Sequence, residues 1–519
     1  MRMAIFISLA LSASVPSARS EDPIGARVEA ILKTPGYAEA QWGLLAVDLE
    51  SGRVVYEKDA DRMLAPASVT KLYSTSAALV DLGPDHRFKT VVRRKGSVDP
   101  AGVLQGDLIL VASGDPCLGG RQGPDDHLLF EDNDHTYANG NEAASLVPAN
   151  PLAGLDALAR GVAASGVRRV EGEILIDTRI FEASPSSGSG PRRVSSIVIN
   201  DNLIDVVITP GVGVGSPGSV RLVPESTAIR LDSRVTTSAE GVATSLAVRE
   251  VADRMIVVRG SVPIGRRGVV RVVEVGDPAS HARALLVEAL RRAGVEIDAS
   301  PLEQNPSDRL PASSEVSRLP KLAEFVSPRY REYARVILKV SHNLYASAQP
   351  LILAASHGES TLADGLRREG RILRELGLDL SRVSFGGGAG GAREDLTTPR
   401  ATVALIRAMS VRPEWSALEG GLPILGVDGT LAKAVSPESP ARGKVRAKSG
   451  TFWIDNPLLG RTVITSKALA GVLDRADGHR LAFAFFLNNV PVDDSGRNIS
   501  EATAAAGRLL GRLCEVFVE

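Results

Sequence analysis

A mixed α/β (α+β) fold, in which strand-rich domains are nested inside a helix-and-sheet domain, follows from three features of the 519-residue sequence. A hairpin and a helix open the chain, short Val- and Ile-rich strands broken by Gly, Pro and Ser fill residues from about 90 to 310, and helices followed by strands close it. Length alone calls for several domains, because a single core stops growing beyond about 250–300 residues. Hydrophobic residues at 44% and charged residues at 23% are the profile of a globular protein with a real core. Lys+Arg 60 against Asp+Glu 61 leaves a net charge of −1, which argues against a nucleic-acid partner.

The first twenty residues, MRMAIFISLALSASVPSARS, read as a secretory signal peptide. Arg2 supplies the basic start, Ala4 to Val15 the apolar stretch, and Ala18-Arg19-Ser20 a cleavage site of small residues. That stretch is short of the roughly 20 residues a membrane span needs, and no later segment reaches that length, so no stable transmembrane anchor is expected. Residues 43–60 alternate apolar and polar about a Glu50-Ser51-Gly52-Arg53 turn, the pattern of a hairpin. The stretch 66–84 is a helix that Pro66 starts and Gly83-Pro84 stop. Within the strand-rich region, 155–177 and 282–304 look like copies of one helix–Gly–strand unit bracketing a strand-rich piece at about 190–275. From about 312 the chain turns helical through LPKLAEFV, REYARVILKV and SAQPLILAAS, and a Gly-rich loop at 386–395 precedes a helix at 398–409. Strands follow around 445–453, 468–474 and 480–488, then a last helix over 500–516.

Cys117 and Cys514 are the only cysteines, too few for a Cys-rich zinc site, and are expected as unpaired, partly buried thiols. Residues 125–135, DDHLLFEDNDH, crowd oxygen ligands that could hold a divalent cation, but read better as a solvated acidic loop. Only eleven of the 60 basic residues are lysines, so each lysine deserves inspection.

One of them closes the sole S-x-x-K of the chain, Ser68-Val69-Thr70-Lys71. Positions i and i+3 share a helix face, so the amine can meet the hydroxyl and take its proton, provided that desolvation or a second cation depresses the lysine pKa. Ser341-His342-Asn343 follows a helical stretch and can present two polar side chains on a turn. Lys448-Ser449-Gly450-Thr451 begins a strand, where a lysine, a hydroxyl and backbone N–H groups can receive a carboxylate and Gly450 permits close approach. Each piece alone is commonplace. In the order S-x-x-K, S-x-N, K-[ST]-G they form the three-part signature of penicillin-recognising serine enzymes.

On these motifs, together with LVASGDPCL (110–118), GVRRVEGEILID, SHNLYA, LPILGVDGTL and GKVRAKSGT, the chain resembles the D-alanyl-D-alanine carboxypeptidase/endopeptidase family, the class C low-molecular-mass penicillin-binding proteins, from about residue 25 onward. The resemblance implies a β-lactamase/transpeptidase-like domain, an antiparallel sheet flanked by helices, from residues 22–93 and 312–519. It also implies an inserted domain from 94–189 and 276–311, and a further domain nested at 190–275. Ser68 would be acylated, Lys71 would be its base, and Ser341 would relay the proton. Asn343 would bind the peptide backbone, and Lys448, Ser449 and Thr451, with Gly450 between them, would hold the terminal carboxylate. The oxyanion hole would be the N–H groups of Ser68 and Thr451. The implied partners are peptidoglycan stem peptides and β-lactam antibiotics, the implied location is the periplasm, and neither metal nor organic cofactor is called for. The chain departs from the family at His342, where Asp is usual, at Ser449, where Thr is usual, and at Gly387 and Ala389, which replace the Asp and Ser of a D-G-S-G block.

Other readings are weaker. Gly386–Gly391 and Gly213–Gly218 satisfy G-x-G-x-x-G without the surrounding strand–helix alternation of a dinucleotide fold. There is no G-x-S-x-G elbow for a Ser/His/Asp hydrolase. A non-catalytic or weakly active peptidoglycan-binding homologue is the alternative that the altered Gly-rich block suggests.

Overall fold

The computed structural model describes residues 23–251, 254–458, 460–492 and 499–519. The segment read as an export signal lies outside them. Five antiparallel strands make one continuous β layer, in the order Val445–Asn456, Arg461–Asp474, Arg480–Pro491, Gln41–Asp48, Val54–Lys58. The hairpin of residues 41–58 thus pairs with strands from near the other end of the sequence in one sheet. Arg480–Pro491 is almost unbroken in its apolar character because both faces are covered. Ala482, Ala484 and Phe486 face one core, while Phe483, Phe485 and Leu487 face another under the helices Pro23–Leu32 and Ile499–Val518.

The first of those cores surrounds the helix Thr70–Leu82, here called the Ser68 helix, which is entered through a 3-10 turn at Ala67–Val69. Thr70 to Leu79 are all buried, because small side chains (Ser74, Ser76, Ala77, Ala78) let neighbouring elements close around the whole helix. Gly83, at φ 84°, ends it. The helices Tyr330–Lys339 and Asn343–Ser356 pack against it.

The intervening stretch forms separate sheets. Lys89–Val98 and Val103–Val111 centre a six-stranded sheet, whose last strand, Lys321–Val326, comes from beyond residue 311. The two units read as copies lie side by side. Their helices Ala153–Ala164 and Pro278–Arg292 pack together, and Arg169–Val170 runs parallel to Glu296–Ile297. Two three-stranded sheets, one centred on Leu203–Thr209 and one on Met255–Pro263, share a separate core.

Two expectations are corrected. LPKLAEFV is a strand, not a helix: its apolar residues alternate, Ala323 and Phe325 inward against polar Glu324, and the edge of Lys89–Val98 gives them a partner. The 125–135 segment is not a solvated acidic loop throughout. Asp125 and Asp132 are exposed, but Asp134 and His135 are buried. Cys117 and Cys514 are free, and burial raises both thiols, Cys117 to about 12. A thiolate reagent should therefore label neither cysteine in the native protein and both in denaturant, as read by intact mass; rapid native labelling would contradict this packing.

Candidate active site

Ser68 and Lys71 stand one helical turn apart, and the Lys71 amine lies 2.8 Å from the Ser68 hydroxyl. Lys71 is fully buried and has two further contacts, Asn343 Oδ1 at 2.8 Å and the Ala389 carbonyl at 2.8 Å. Both are acceptors only in this arrangement, with the Asn343 amide nitrogen turned to Ser189 Oγ at 3.0 Å. A neutral amine has two N–H groups and one lone pair. Two acceptors take the N–H groups, which leaves the lone pair for the Ser68 proton. Desolvation, and next the Lys448 cation, push the Lys71 pKa well below its ordinary value.

Lys448 is also fully buried, donating to Ser341 Oγ at 3.0 Å and to the Ser449 carbonyl at 2.7 Å. Burial, with the Lys467 charge, lowers it to about 7. Lys467 donates to Thr451 Oγ1 at 2.7 Å, and desolvation lowers it to about 8. Three of the chain's few lysines thus form a row beneath one cleft. That cleft, of about 580 Å³, is lined by Ser68, Ser341, Asn343, Ser449 and Thr451. Ser449 Oγ pairs with Thr430 Oγ1 at 2.8 Å. The strand Val445–Asn456 is the edge of the five-stranded sheet; residues 423–425 pair with its start at residues 445–447, and Ser449, Thr451, Phe452 and Trp453 beyond that line the cleft. Gly450 is obligatory here: a Cβ would stand 2.4 Å from the Pro66 carbonyl, in the turn that carries Ser68. Ala67 and Ser341 hold φ of 45° and 59°, a left-handed strain that the surrounding packing enforces beside the two serines.

The Gly-rich loop closes the site from behind. Its Gly388 and Ala389 carbonyls accept from Ser74 Oγ (2.9 Å) and Lys71 Nζ, successive turns of one helix face. A Cβ on Gly388 would lie 2.1 Å from the Ala346 carbonyl, and one on Gly390 would lie 2.0 Å from the Ala67 carbonyl, whereas one on Gly387 would meet nothing. The two glycines of that block that geometry requires are present; of the two altered positions, Gly387 has open space around it, and Ala389 is buried in the core.

His342 faces away from the cleft. Its Nδ1 accepts from the Tyr345 N–H at 3.3 Å, capping the helix Asn343–Ser356, and its Nε2 meets Asp201 Oδ2 at 3.2 Å. Asp134, Asp201 and His342 could converge on a metal ion, but the Arg121 guanidinium already stands there, 2.6 Å from Asp134, 2.5 Å from Asp201 and 3.0 Å from His342. Burial opposes the charge on Asp201, yet Arg121 holds its carboxyl well below the usual range. Burial likewise opposes charge on His135, but Asp205 and Asp201 on either side raise it to about 10. This network ties the inserted segments to the turn that carries Ser341 and Asn343.

Residues 24–508 match the protein family described as D-Ala-D-Ala carboxypeptidase 3 (S13). The chain belongs to that family. It is 30% identical over 454 residues to a D-alanyl-D-alanine carboxypeptidase of Actinomadura sp. (strain R39), spanning 82% of this chain and 76% of that one. It is 21% identical to D-alanyl-D-alanine carboxypeptidase DacB of Haemophilus influenzae, spanning 87% and 86%. The fold matches the crystal structure of penicillin binding protein 4 (dacB) from Haemophilus influenzae with a TM-score of 0.68 and 19% identity, covering 93% of this chain and 98% of that one. The S13 assignment makes the protein a serine DD-peptidase.

Sequence reasoning missed several groups that line the S13 cleft. Asp132, Asn133, Tyr137, Gly188 and Ser189 reach it from the inserted region, which no local motif announces. Lys467 was discoverable from lysine scarcity, and Phe452 and Trp453 from the exposed aromatics that continue the K-S-G strand.

Two outcomes follow from this geometry. Gly390→Ala should slow modification by a labelled β-lactam by about 10²-fold through displacement of Ser68, while Gly387→Ala should leave the rate unchanged. His342→Asp should not restore a family feature. Placing a further carboxylate against Asp134 and Asp201, it should cost about 1–3 kcal/mol in chemical denaturation.

Proposed function

We propose that Ser68 is the nucleophile of this DD-peptidase and that neutral Lys71 is its base. The observation that carries this reading is the Lys71 amine, buried between Ser68 Oγ and two acceptors that consume its only N–H groups in the neutral form. Lys71 removes the Ser68 proton as Oγ attacks the carbonyl carbon between the two D-alanines. The oxyanion then lies toward the N–H groups of Ser68 and Thr451, where one such donor is worth about 10²–10³ in rate. Ser341, joined to Lys448, returns a proton to the departing amine, the C–N bond breaks and D-alanine leaves. Water then releases the shortened stem peptide from Ser68.

Asn343 orients the peptide backbone, while Lys448, Ser449 and Thr451 receive the terminal carboxylate beside Gly450. The cleft-facing stretch of the sheet's edge strand from Ser449 to Trp453 supports binding of the stem peptide as an added strand. The same site would cleave D-Ala-diaminopimelate cross-links, because there too an amide on the carbonyl side of D-alanine is broken. Peptidoglycan is the polymer acted on, and β-lactams acylate Ser68 as mimics of the D-Ala-D-Ala amide. The sequence of the first twenty residues supports a periplasmic location, and no helix among the described residues is long and apolar enough to cross a membrane.

Incubation with penicillin should add the mass of one drug to the Ser68 peptide and nothing to Ser68→Ala; a folded wild-type protein with no adduct at short or long times overturns the assignment. The lysine row sets the pH response. Lys448 and Lys467 lose charge as pH rises through about 7 and about 8. The KM for a peptide with a free terminal carboxylate should therefore climb above that range, while that for the amidated peptide should stay level. Equal behaviour of the two peptides would remove these lysines from carboxylate binding.

A further inference from the structure

Behind the lysine row lies a buried carboxylate that the mechanism above does not use. Asp395 is 3% exposed, and its two oxygens accept from opposite ends of the Gly-rich loop, Oδ1 from the Gly386 N–H at 2.9 Å and Oδ2 from the Ala392 N–H at 2.8 Å. Between those ends the loop presents the Ala389 carbonyl to Lys71 and lays Gly390 on the backbone of Ala67 and Ser68. We propose that Asp395 is a positioning residue for acylation: its carboxylate clasps the loop at both ends and so fixes the Ala389 carbonyl and Gly390 against Lys71 and Ser68. This rests on Ser68 acylation as read above.

A carboxylate can accept both N–H groups, but a carboxylic acid or an amide turns one acceptor into a donor and opens one arm of the clasp. The titratable groups around Asp395 act in opposite senses. The net result is a rise to about 6: desolvation raises it most, its two backbone bonds lower it, Glu394 beside it raises it, and Lys71 on the Ser68 helix lowers it. Glu369, on the helix Leu362–Glu375, is buried with neither carboxyl oxygen bonded among the described residues. Desolvation, and then Asp395, lift Glu369 to about 8, so it stands protonated at neutral pH and leaves the negative charge to Asp395. Asp395 in turn favours the charged form of Lys71. The clasp is thus closed while Asp395 is ionised and opens as pH falls through its titration. Opening of the clasp shuts off acylation on the acid side.

The test is the rate of acylation by a fluorescent penicillin between about pH 5 and pH 9, on the full chain, in wild type, Asp395→Asn and Glu394→Gln. Asp395→Asn should lower the plateau by about 10- to 100-fold through misplacement of the loop. It should also move the acid limb to lower pH, because the neighbouring negative charge that favours protonated Lys71 is gone. Glu394→Gln, at an exposed position, should keep the plateau and shift the acid limb to lower pH, since Asp395 then ionises more readily. A folded Asp395→Asn with wild-type plateau and limb overturns the inference. So does a reduced plateau with the limb unmoved, which would assign Asp395 to stability alone. If Asp395→Asn does not fold, an unmoved limb in Glu394→Gln overturns it. A wild-type protein that penicillin never modifies would instead sink the Ser68 reading beneath it.

Discussion

Burying an amine next to a serine is the constraint around which this structure is built. In water a lysine is protonated at any physiological pH, and a protonated Lys71 would have no lone pair for Ser68. Full burial on a helix closed in on every side removes the hydration that favours charge, and the Lys448 cation adds repulsion. Burial alone would leave N–H groups without partners, so the fold supplies two acceptors, one from the S-x-N turn and one from the Gly-rich loop. Three segments remote in sequence are brought together for one nitrogen atom.

The same logic explains why like charges are stacked here. Lys467 depresses Lys448 and Lys448 depresses Lys71, and the row ends at Thr451 on the edge strand of the sheet. A substrate carboxylate entering there would favour protonated Lys448 and Lys467. Deeper in, Asp395 pulls Lys71 the other way, so the charge on that amine answers to opposing neighbours and not to burial alone. The inserted segments contribute from the far side. Arg121, Asp134 and Asp201 satisfy one another in a dry interior and hold His342 and Tyr345, which flank the strained Ser341 turn. Such a network is costly to break, because removal of any member leaves a buried charge unpaired.

What the sequence made legible was what depends on short spacing. Ser68 and Lys71 meet because residues three apart share a helix face, and Gly450 lies beside Lys448 and Thr451 on one strand. The closing strands and the opening hairpin also read correctly, since their two-residue alternation or continuous apolar runs reflect a sheet covered on both faces. What depends on distant partners did not read. Lys321–Val326 carries a short apolar stretch that fits either helix or strand, and only the free edge of Lys89–Val98 decides the matter. Asp134 and His135 looked solvated because their counter-charges come from Arg121, Asp201 and Asp205.

The altered Gly-rich block shows how a motif can change while its geometry persists. A pattern-based view counts Gly387 and Ala389 as two losses. The backbone counts differently: Gly388 and Gly390 are held by steric contacts with the Ala346 and Ala67 carbonyls, and neither has changed. The Ala389 group that meets Lys71 is a carbonyl, which any residue supplies. A carboxylate at the loop is still provided, by Asp395 from within the same short segment, and it reaches backbone N–H groups that side-chain identity does not alter. The requirement at this site is therefore for a clasped loop with two bare Cα positions and one inward carbonyl. A sequence that meets that requirement keeps the Ser68–Lys71 geometry while departing from the motif by which the loop is usually recognised.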